Sequence, residues 1–199
     1  MAQDPVKFGV VGLGMGQHHC MAVNAAKGAE LVAVCDIDME RTDKMVQKYE
    51  GVKGYAKYSQ FLKHPGLEAV CICVPSGMHA KFGIQAIKQG KHLVVEKPPD
   101  IKAKRVQDMI DAAAEHGVKL EQIFQQRMSP LNRRIKDTID KGRLGKLIGI
   151  NALLPWYRAQ SYYEDVAHGR CKGTWARDGG GSLSNQGIHT LDIILYFSG

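Results

Sequence analysis

"GVVGLGMGQHH", residues 9–19, ends an apolar, β-branched run on glycine and passes at once into residues with helical spacing. The residues "VKFGVV" before Gly12 have the composition of a buried strand, and Met15, His19, Ala22 and Ala26 recur on one face of a helix. Strand, glycine turn and helix in this order make the first half of a βαβ unit. "AELVAVCDID" supplies the second half, an almost continuous apolar strand closing on Asp36, and a polar helix follows from about Met39 to Tyr49.

In such a unit the first glycine makes the tight turn and the second lets the main chain approach a diphosphate, while the helix N-terminus supplies amides and partial positive charge. Gly12 and Gly14 occupy those two places, and Asp36 stands where a carboxylate holds ribose hydroxyls. A carboxylate there repels a 2′-phosphate, so NAD is expected over NADP, with Arg41 near enough in sequence to soften the preference. Gly16 comes one position early, leaving Gln17 where the spacing calls for glycine or alanine. Helix and strand are therefore expected to pack slightly farther apart.

Outward from this unit the alternation repeats. Strands are expected at 51–55, 69–74 and 92–95, with helical stretches near 58–63 and 78–89, a pattern that implies a parallel sheet covered by helices. Asp100 is read as the cap of the helix in "IKAKRVQDMIDAAAEHG", whose Val106, Met109, Ile110 and Ala113 form a core stripe. "VKLEQIFQQR" gives a last strand, and Ser129-Pro130 opens a helix that runs through Asp140. The fold class is thus α/β, a Rossmann-type doubly wound parallel sheet over residues 1–125. Residues 126–199 begin a second domain, in which "KLIGINALLPWYR" is expected as a longer strand. "LSNQGIHTLDIILYFSG" is expected as a helix burying Ile188, Leu191, Ile194 and Leu195. One strand and one helix do not close a sheet domain, so the chain reads as truncated.

Composition narrows the partners. Hydrophobic residues make up 44% and charged residues 24% of the 199, near globular averages, and no run approaches the ~18 apolar residues of a membrane span. "MAQDPVKFGVVGLG" enters a strand without a secretory signal pattern, which makes the cytoplasm the expected compartment. Net charge is +7, but the lysines and arginines are scattered, and the densest run, "KAKR" at 102–105, reads as a solvated helix face. Nucleic acid is not an expected partner. Cys20, Cys35, Cys71, Cys73 and Cys171 lack zinc or redox spacing and read as reduced thiols.

Two further strand ends carry chemistry: "VCICVPSGMHA", residues 70–80, and "VVEKPPD", residues 94–100. Doubly wound sheets hold ligands beyond the carboxyl ends of their strands, which places Lys97 near a nicotinamide. The expected cofactor contacts are therefore Gly12, Gly14, Met15, Gly16, Asp36 and Arg41 from the first unit, with Pro75, Ser76, His79, Glu96 and Lys97 from the later strand ends.

Together with "GVVGLGMG", "AVCDID" and "DGGGSLSNQGIHTLD", these motifs closely resemble the Gfo/Idh/MocA family of oxidoreductases, in the family's order and over the whole chain. The resemblance implies a Rossmann domain joined to an α+β domain on a large open sheet, in longer chains that form homo-oligomers, dimers or tetramers. It implies hydride transfer between NAD and a hydroxyl-bearing carbon of a sugar, cyclitol or nucleotide sugar. Lys97 is then a catalytic or substrate-orienting lysine and His189 the proton-handling histidine, a residue type that titrates near neutrality. Asn185 stands where the family often has aspartate, and it orients a neighbour without supplying negative charge. Tyr157 and Arg158 are expected to line the substrate site, with Tyr162, Tyr163 and Trp175 in the same loop. Asp192 is read as orienting. Together with His189 it makes too small a set for a metal, and no metal is expected. A non-catalytic NAD-binding sensor of the same family is the alternative.

Overall fold

The computed structural model describes residues 4–164 and 172–199, so Cys171 lies outside the described residues. The chain divides into two compact units, Met1–Gln122 and Ile123–Gly199.

In the first unit strands and helices alternate: β1 (Val6–Val11), α1 (Gly16–Ala25), β2 (Ala29–Cys35), α2 (Met39–Lys48), β3 (Lys53–Tyr55), α3 (Tyr58–Phe61), β4 (Ala69–Ile72), α4 (His79–Ile87), β5 (His92–Val95), α5 (Ala103–Glu115) and β6 (Leu120–Gln122). All strands pair in parallel, in the order β3-β2-β1-β4-β5-β6. This is the doubly wound order of dinucleotide-binding domains, and its direction of winding reverses between β1 and β4. The apolar runs of the sequence are continuous because both faces of the sheet are covered. Val10, Val34 and Cys71 join Cys20 and Val23 of α1 on one face, while Val11, Ile72 and Val95 join Phe61, Ile87 and Met109 on the other.

Phe61 is fully buried, and its ring fills the space over Gly9, where an added Cβ would stand 2.5 Å from Cζ. Strand β1 therefore carries a glycine in mid-strand because α3 packs an aromatic ring onto its backbone. Cys20, Cys35, Cys71 and Cys73 are buried and free, as expected of reduced thiols. Burial pushes the thiols of Cys20, Cys35 and Cys71 up to about 12, so they behave as small apolar groups.

The second unit contains α6 (Pro130–Asp140), α7 (Gln160–Tyr163), α8 (Trp175–Asp178), a π-helical turn at Ser182–Gly187 and α9 (Ile188–Ser198). Two expectations fail here. Residues 146–158 form no strand, and Ile148 is 96% exposed. Among its described residues this unit has no strand to pair with, and an extended segment without a ladder has no partner for its amides and carbonyls. Helix α9 does form, but it turns Asp192 inward, while Leu191 and Leu195 are exposed. The cause is Arg127, whose guanidinium grips both Asp192 oxygens at 2.6–3.0 Å. Among the described residues no helix is long and apolar enough to cross a membrane.

Replacing Phe61 by alanine should cost about 3–5 kcal/mol of stability, the range for emptying a buried aromatic site. Urea denaturation followed by circular dichroism checks this, with a clear fall in midpoint expected.

Candidate cofactor and catalytic site

The turn after β1 is built by exclusion of side chains. Gly12 has a φ of +87°, and a Cβ there would stand 2.5 Å from the main-chain oxygen of Cys73 and 2.6 Å from its carbonyl carbon. A neighbour made of backbone does not yield. Gly16 begins α1, donates its amide to the Gly12 carbonyl at 3.1 Å, and is buried where a Cβ would meet Val10 Cγ1 at 2.8 Å. The expected widening between helix and strand is therefore absent. The helix starts at Gly16 itself, so that residue faces the strand, and Gln17 turns outward with its Nε2 on the Gly14 carbonyl at 3.0 Å. Met15 is exposed, no side chain caps α1, and its first turn holds no acidic residue. A helix start of this kind favours an anion.

Asp36 follows β2 and is buried. Its Oδ2 accepts from the Leu13 amide at 2.6 Å and its Oδ1 from the Asp38 amide at 2.9 Å, which braces the glycine turn against the next strand. Two bonds leave lone pairs on each oxygen for further donors such as hydroxyls. Beside it, Ile37 is 94% exposed, an apolar side chain held out next to the carboxylate. An isoleucine between two aspartates at a strand end is a signal already visible in the sequence. Arg41, in the first turn of α2, pairs its Nε with Asp38 Oδ2 at 3.1 Å.

Beyond β4 and β5 the loops are joined by side chains. Pro75 is exposed and Ser76 half-buried at the start of a tight turn, Ser76–Met78. His79 is 1% exposed, and its Nδ1 and Nε2 lie 2.7 Å from the carbonyl oxygens of Pro98 and Val74. Carbonyl oxygens only accept, so the neutral ring donates to one of the two loops and its other nitrogen faces the carbonyl of the second. Burial pulls its pKa down, against the two carbonyls and the charges of Glu96 and Asp100. Asp100 does not cap α5, which begins at Ala103. Its Oδ1 accepts from the Ile101 and Lys102 amides and its Oδ2 from Ala80, near the start of α4, at 3.2 Å. The cap expected for the next helix serves the preceding one.

Glu96 directly follows β5. Its Oε1 lies 2.8 Å from His19 Nε2 on α1, and its Oε2 accepts from the Lys97 amide at 3.0 Å. Burial alone would push this carboxyl up. The hydrogen bond and charge of His19, with the amide and charge of Lys97, outweigh it and hold the carboxyl below its ordinary range. In the sequence His19 is one residue of a helical stripe, and nothing local marks its partner 77 residues away. Lys97 itself is half-buried.

In the second unit His189 is half-buried near the start of α9, with the Phe124 ring edge-on at 6.4 Å between centroids. Asn185 donates through Nδ2 to Asp178 Oδ2 at 2.6 Å, and Asp178 is buried. Arg158 lies over the rings of Trp156 at 4.6 Å and Tyr162 at 5.2 Å, and the Lys172 ammonium lies 4.2 Å from the Tyr162 ring centroid. Tyr157 is 84% exposed and takes no part in that stack.

A doubly wound sheet with this turn, this carboxylate and a charged pair at a nearby strand end defines a nicotinamide-dinucleotide-binding domain. Its residues match a known family: 6–124 fit the model of the oxidoreductase family with an NAD-binding Rossmann fold, GFO_IDH_MocA, and 132–199 fit a GFO/IDH/MocA C-terminal domain. The chain belongs to the GFO/IDH/MocA oxidoreductases. It is 30% identical over 174 residues to an inositol 2-dehydrogenase of Salmonella typhimurium, covering 82% of this chain and 52% of the relative. It is 27% identical over 196 residues to a glucose-6-phosphate 3-dehydrogenase of Bacillus subtilis, covering 96% of this chain and 53% of the relative. A crystal structure of the WlbA dehydrogenase from Bordetella pertussis with NADH and UDP-GlcNAcA superposes on the whole chain at a TM-score of 0.92 and 29% identity, covering 57% of that protein. The chain thus spans about half the length of the curated relatives it matches.

Gly12→Ala forces a side chain into the Cys73 carbonyl at a φ that already disfavours it by roughly 1–2 kcal/mol. NAD binding measured by calorimetry should fall at least tenfold and the thermal midpoint should drop. Glu96→Gln tests the carboxylate. A depressed carboxyl stabilises the fold above its unfolded value of 4.5 and loses that contribution as pH falls through the folded value. The stability gap between wild type and Glu96→Gln should hold from neutrality to about pH 5 and close below it, as read from urea midpoints.

Proposed function

We propose that the whole protein is an NAD-dependent oxidoreductase moving hydride between the nicotinamide and a hydroxyl-bearing carbon of a sugar, cyclitol or nucleotide sugar. The observation that carries the reading is the meeting, in one sheet, of the Gly12–Gly16 cradle and the Glu96–Lys97 pair at carboxyl ends of the strands. The residues fit the cofactor. A Cβ at Gly12 or Gly16 would fill the cradle, the start of α1 is uncapped, and Asp36 keeps acceptor capacity for ribose hydroxyls. Ile37 offers an apolar face for an adenine beside it. Asp36 favours NAD over its 2′-phosphorylated form, and Arg41 is engaged with Asp38. When bound, the nicotinamide accepts or returns the hydride.

The protein's own groups handle orientation and the proton. Lys97, beside a carboxylate held ionised, presents a cation that orients a substrate hydroxyl. His189 takes the hydroxyl proton as hydride leaves and returns it in reverse, work suited to an imidazole at neutral pH. Asn185 orients by hydrogen bonding without contributing charge. Arg158, flanked by Trp156 and Tyr162, suits a substrate that has a flat ring or an anionic group, which is why nucleotide sugars stay within the class. The expected assembly is a homo-oligomer in the cytoplasm.

The test is NADH formation by the whole protein on a panel of myo-inositol, glucose 6-phosphate and UDP-GlcNAcA, followed at the reduced nicotinamide's absorbance. At least one substrate should turn over, and Lys97→Met should lower kcat/KM by about 10²–10⁴ while NAD still binds. Tight NAD binding without turnover of any alcohol would point instead to a sensor.

A further inference from the structure

Glu96 sits between two segments with different duties. His19 lies on α1, the helix whose start receives the cofactor's diphosphate in the function proposed above, and Lys97 is the residue that follows Glu96. One planar carboxylate binds both, Oε1 facing His19 Nε2 at 2.8 Å and Oε2 taking the Lys97 amide at 3.0 Å. Each of the two side chains is only 14% exposed. A carboxylate tied at both oxygens has lost its freedom to rotate.

We propose that His19 is a positioning residue for the reaction, acting on Lys97 through Glu96. This rests on the assignment of Lys97 to that reaction. Packing alone does not call for such a pair, since a buried ion pair is often no more stable than apolar side chains of the same volume. Placed here, it gives the strand end a fixed negative charge beside the lysine and ties that end to the cofactor helix.

The neighbours of Glu96 leave this work to His19 and Lys97. From β4 comes Cys71, whose thiol burial pushes up to about 12, and just past that strand Cys73, whose thiol burial also pushes well up, so both are neutral. From α4 comes His79, which burial holds below its ordinary value and whose nitrogens face carbonyls. Without a donor at position 19, desolvation dominates at Glu96 and the carboxyl takes up a proton at higher pH. A neutral carboxyl still accepts the Lys97 amide but no longer places a negative charge beside that residue.

The experiment uses the 199-residue chain with carbon-13 carboxyl-labelled glutamate and, separately, reductively methylated lysines. Glu96→Gln and Lys97→Arg assign the two signals. His19→Phe keeps the bulk of the ring and removes the donor, with His19→Leu as a second variant should the first fail to fold. His19→Gln keeps an N–H within reach. In the Phe variant the Glu96 titration midpoint should rise by at least one pH unit and the Lys97 methyl signal should move toward those of solvated lysines. NAD affinity by calorimetry should stay within about threefold, and His19→Gln should restore both signals. A Lys97 signal unchanged in His19→Phe overturns the inference, whether or not Glu96 shifts. In whichever substrate the panel identifies, His19→Phe should lower kcat by about tenfold to a hundredfold and move the acid limb of kcat/KM to higher pH, with little change in KM for NAD. A wild-type protein inert on every alcohol refutes the proposed reaction, and with it the positioning role, through a result distinct from the Lys97 signal.

Discussion

No side chain fits between Gly12 and the carbonyl of Cys73, and that contact sets the geometry of the first unit. It lies where the strand order reverses, between β1 and β4, so the backbone of one strand's exit rests on the backbone of the other's. Main-chain bonds then radiate from it. The Gly12 amide reaches the Cys35 carbonyl on β2 at 2.9 Å, and the Gly12 carbonyl takes the Gly16 amide that starts α1. Asp36 closes the remaining side through the Leu13 amide. The cradle for a diphosphate is thus a consequence of how tightly three strands and a helix converge, and its rigidity is that of the core.

Just beyond that convergence the apolar core ends, and a different kind of cohesion takes over. Asp36, Glu96, His79 and Asp100 are all buried or nearly so, and each spends its polar atoms on the main chain or on a charged side chain of a separate segment. Left without partners, such groups would each cost about 1–3 kcal/mol or more. With partners they do what apolar contacts do not, because hydrophobic attraction has no direction whereas a hydrogen bond fixes angle as well as distance. The loops after β4 and β5 are joined by His79, and the loop after β5 is joined to α1 by Glu96. Side chains on these loops inherit positions set by several crossed bonds.

The same distinction explains what was legible in the sequence. Strand runs, glycine turns and helical stripes are local signals, and they located the six-stranded sheet and the strand ends that carry Asp36 and Lys97. Polar pairing is not local. Asp100 looked like the cap of the helix that follows it, but its partner Ala80 comes earlier in the chain; His19 looked like one residue of a helix face, and its partner Glu96 is 77 residues away. Gly16 was misjudged because the fingerprint counts from the first glycine, whereas packing depends on where the helix begins. In the second unit a period of 3.6 correctly marked α9 but not which face turns inward. Arg127 decided that by offering Asp192 two parallel bonds. The apolar run of 146–158 has no neighbouring strand among the described residues of its unit.

Position 185 shows how the two units divide their chemistry. Asparagine there donates to Asp178, which also takes the Gly173 amide at 2.8 Å, so the carboxylate lies one hydrogen bond beyond residue 185. Gln186 continues the series, accepting from Arg158 at 3.3 Å and donating to the Tyr162 hydroxyl at 3.0 Å. Neutral amides hold hydroxyls and guanidinium groups in place but do not take up protons near neutral pH. A site lined by them can select and orient a substrate, and the proton must then pass to an imidazole rather than along the amides. In the proposed reaction that leaves the proton to His189, while a fixed charge next to Lys97 is kept on the Rossmann sheet, where Glu96 faces His19.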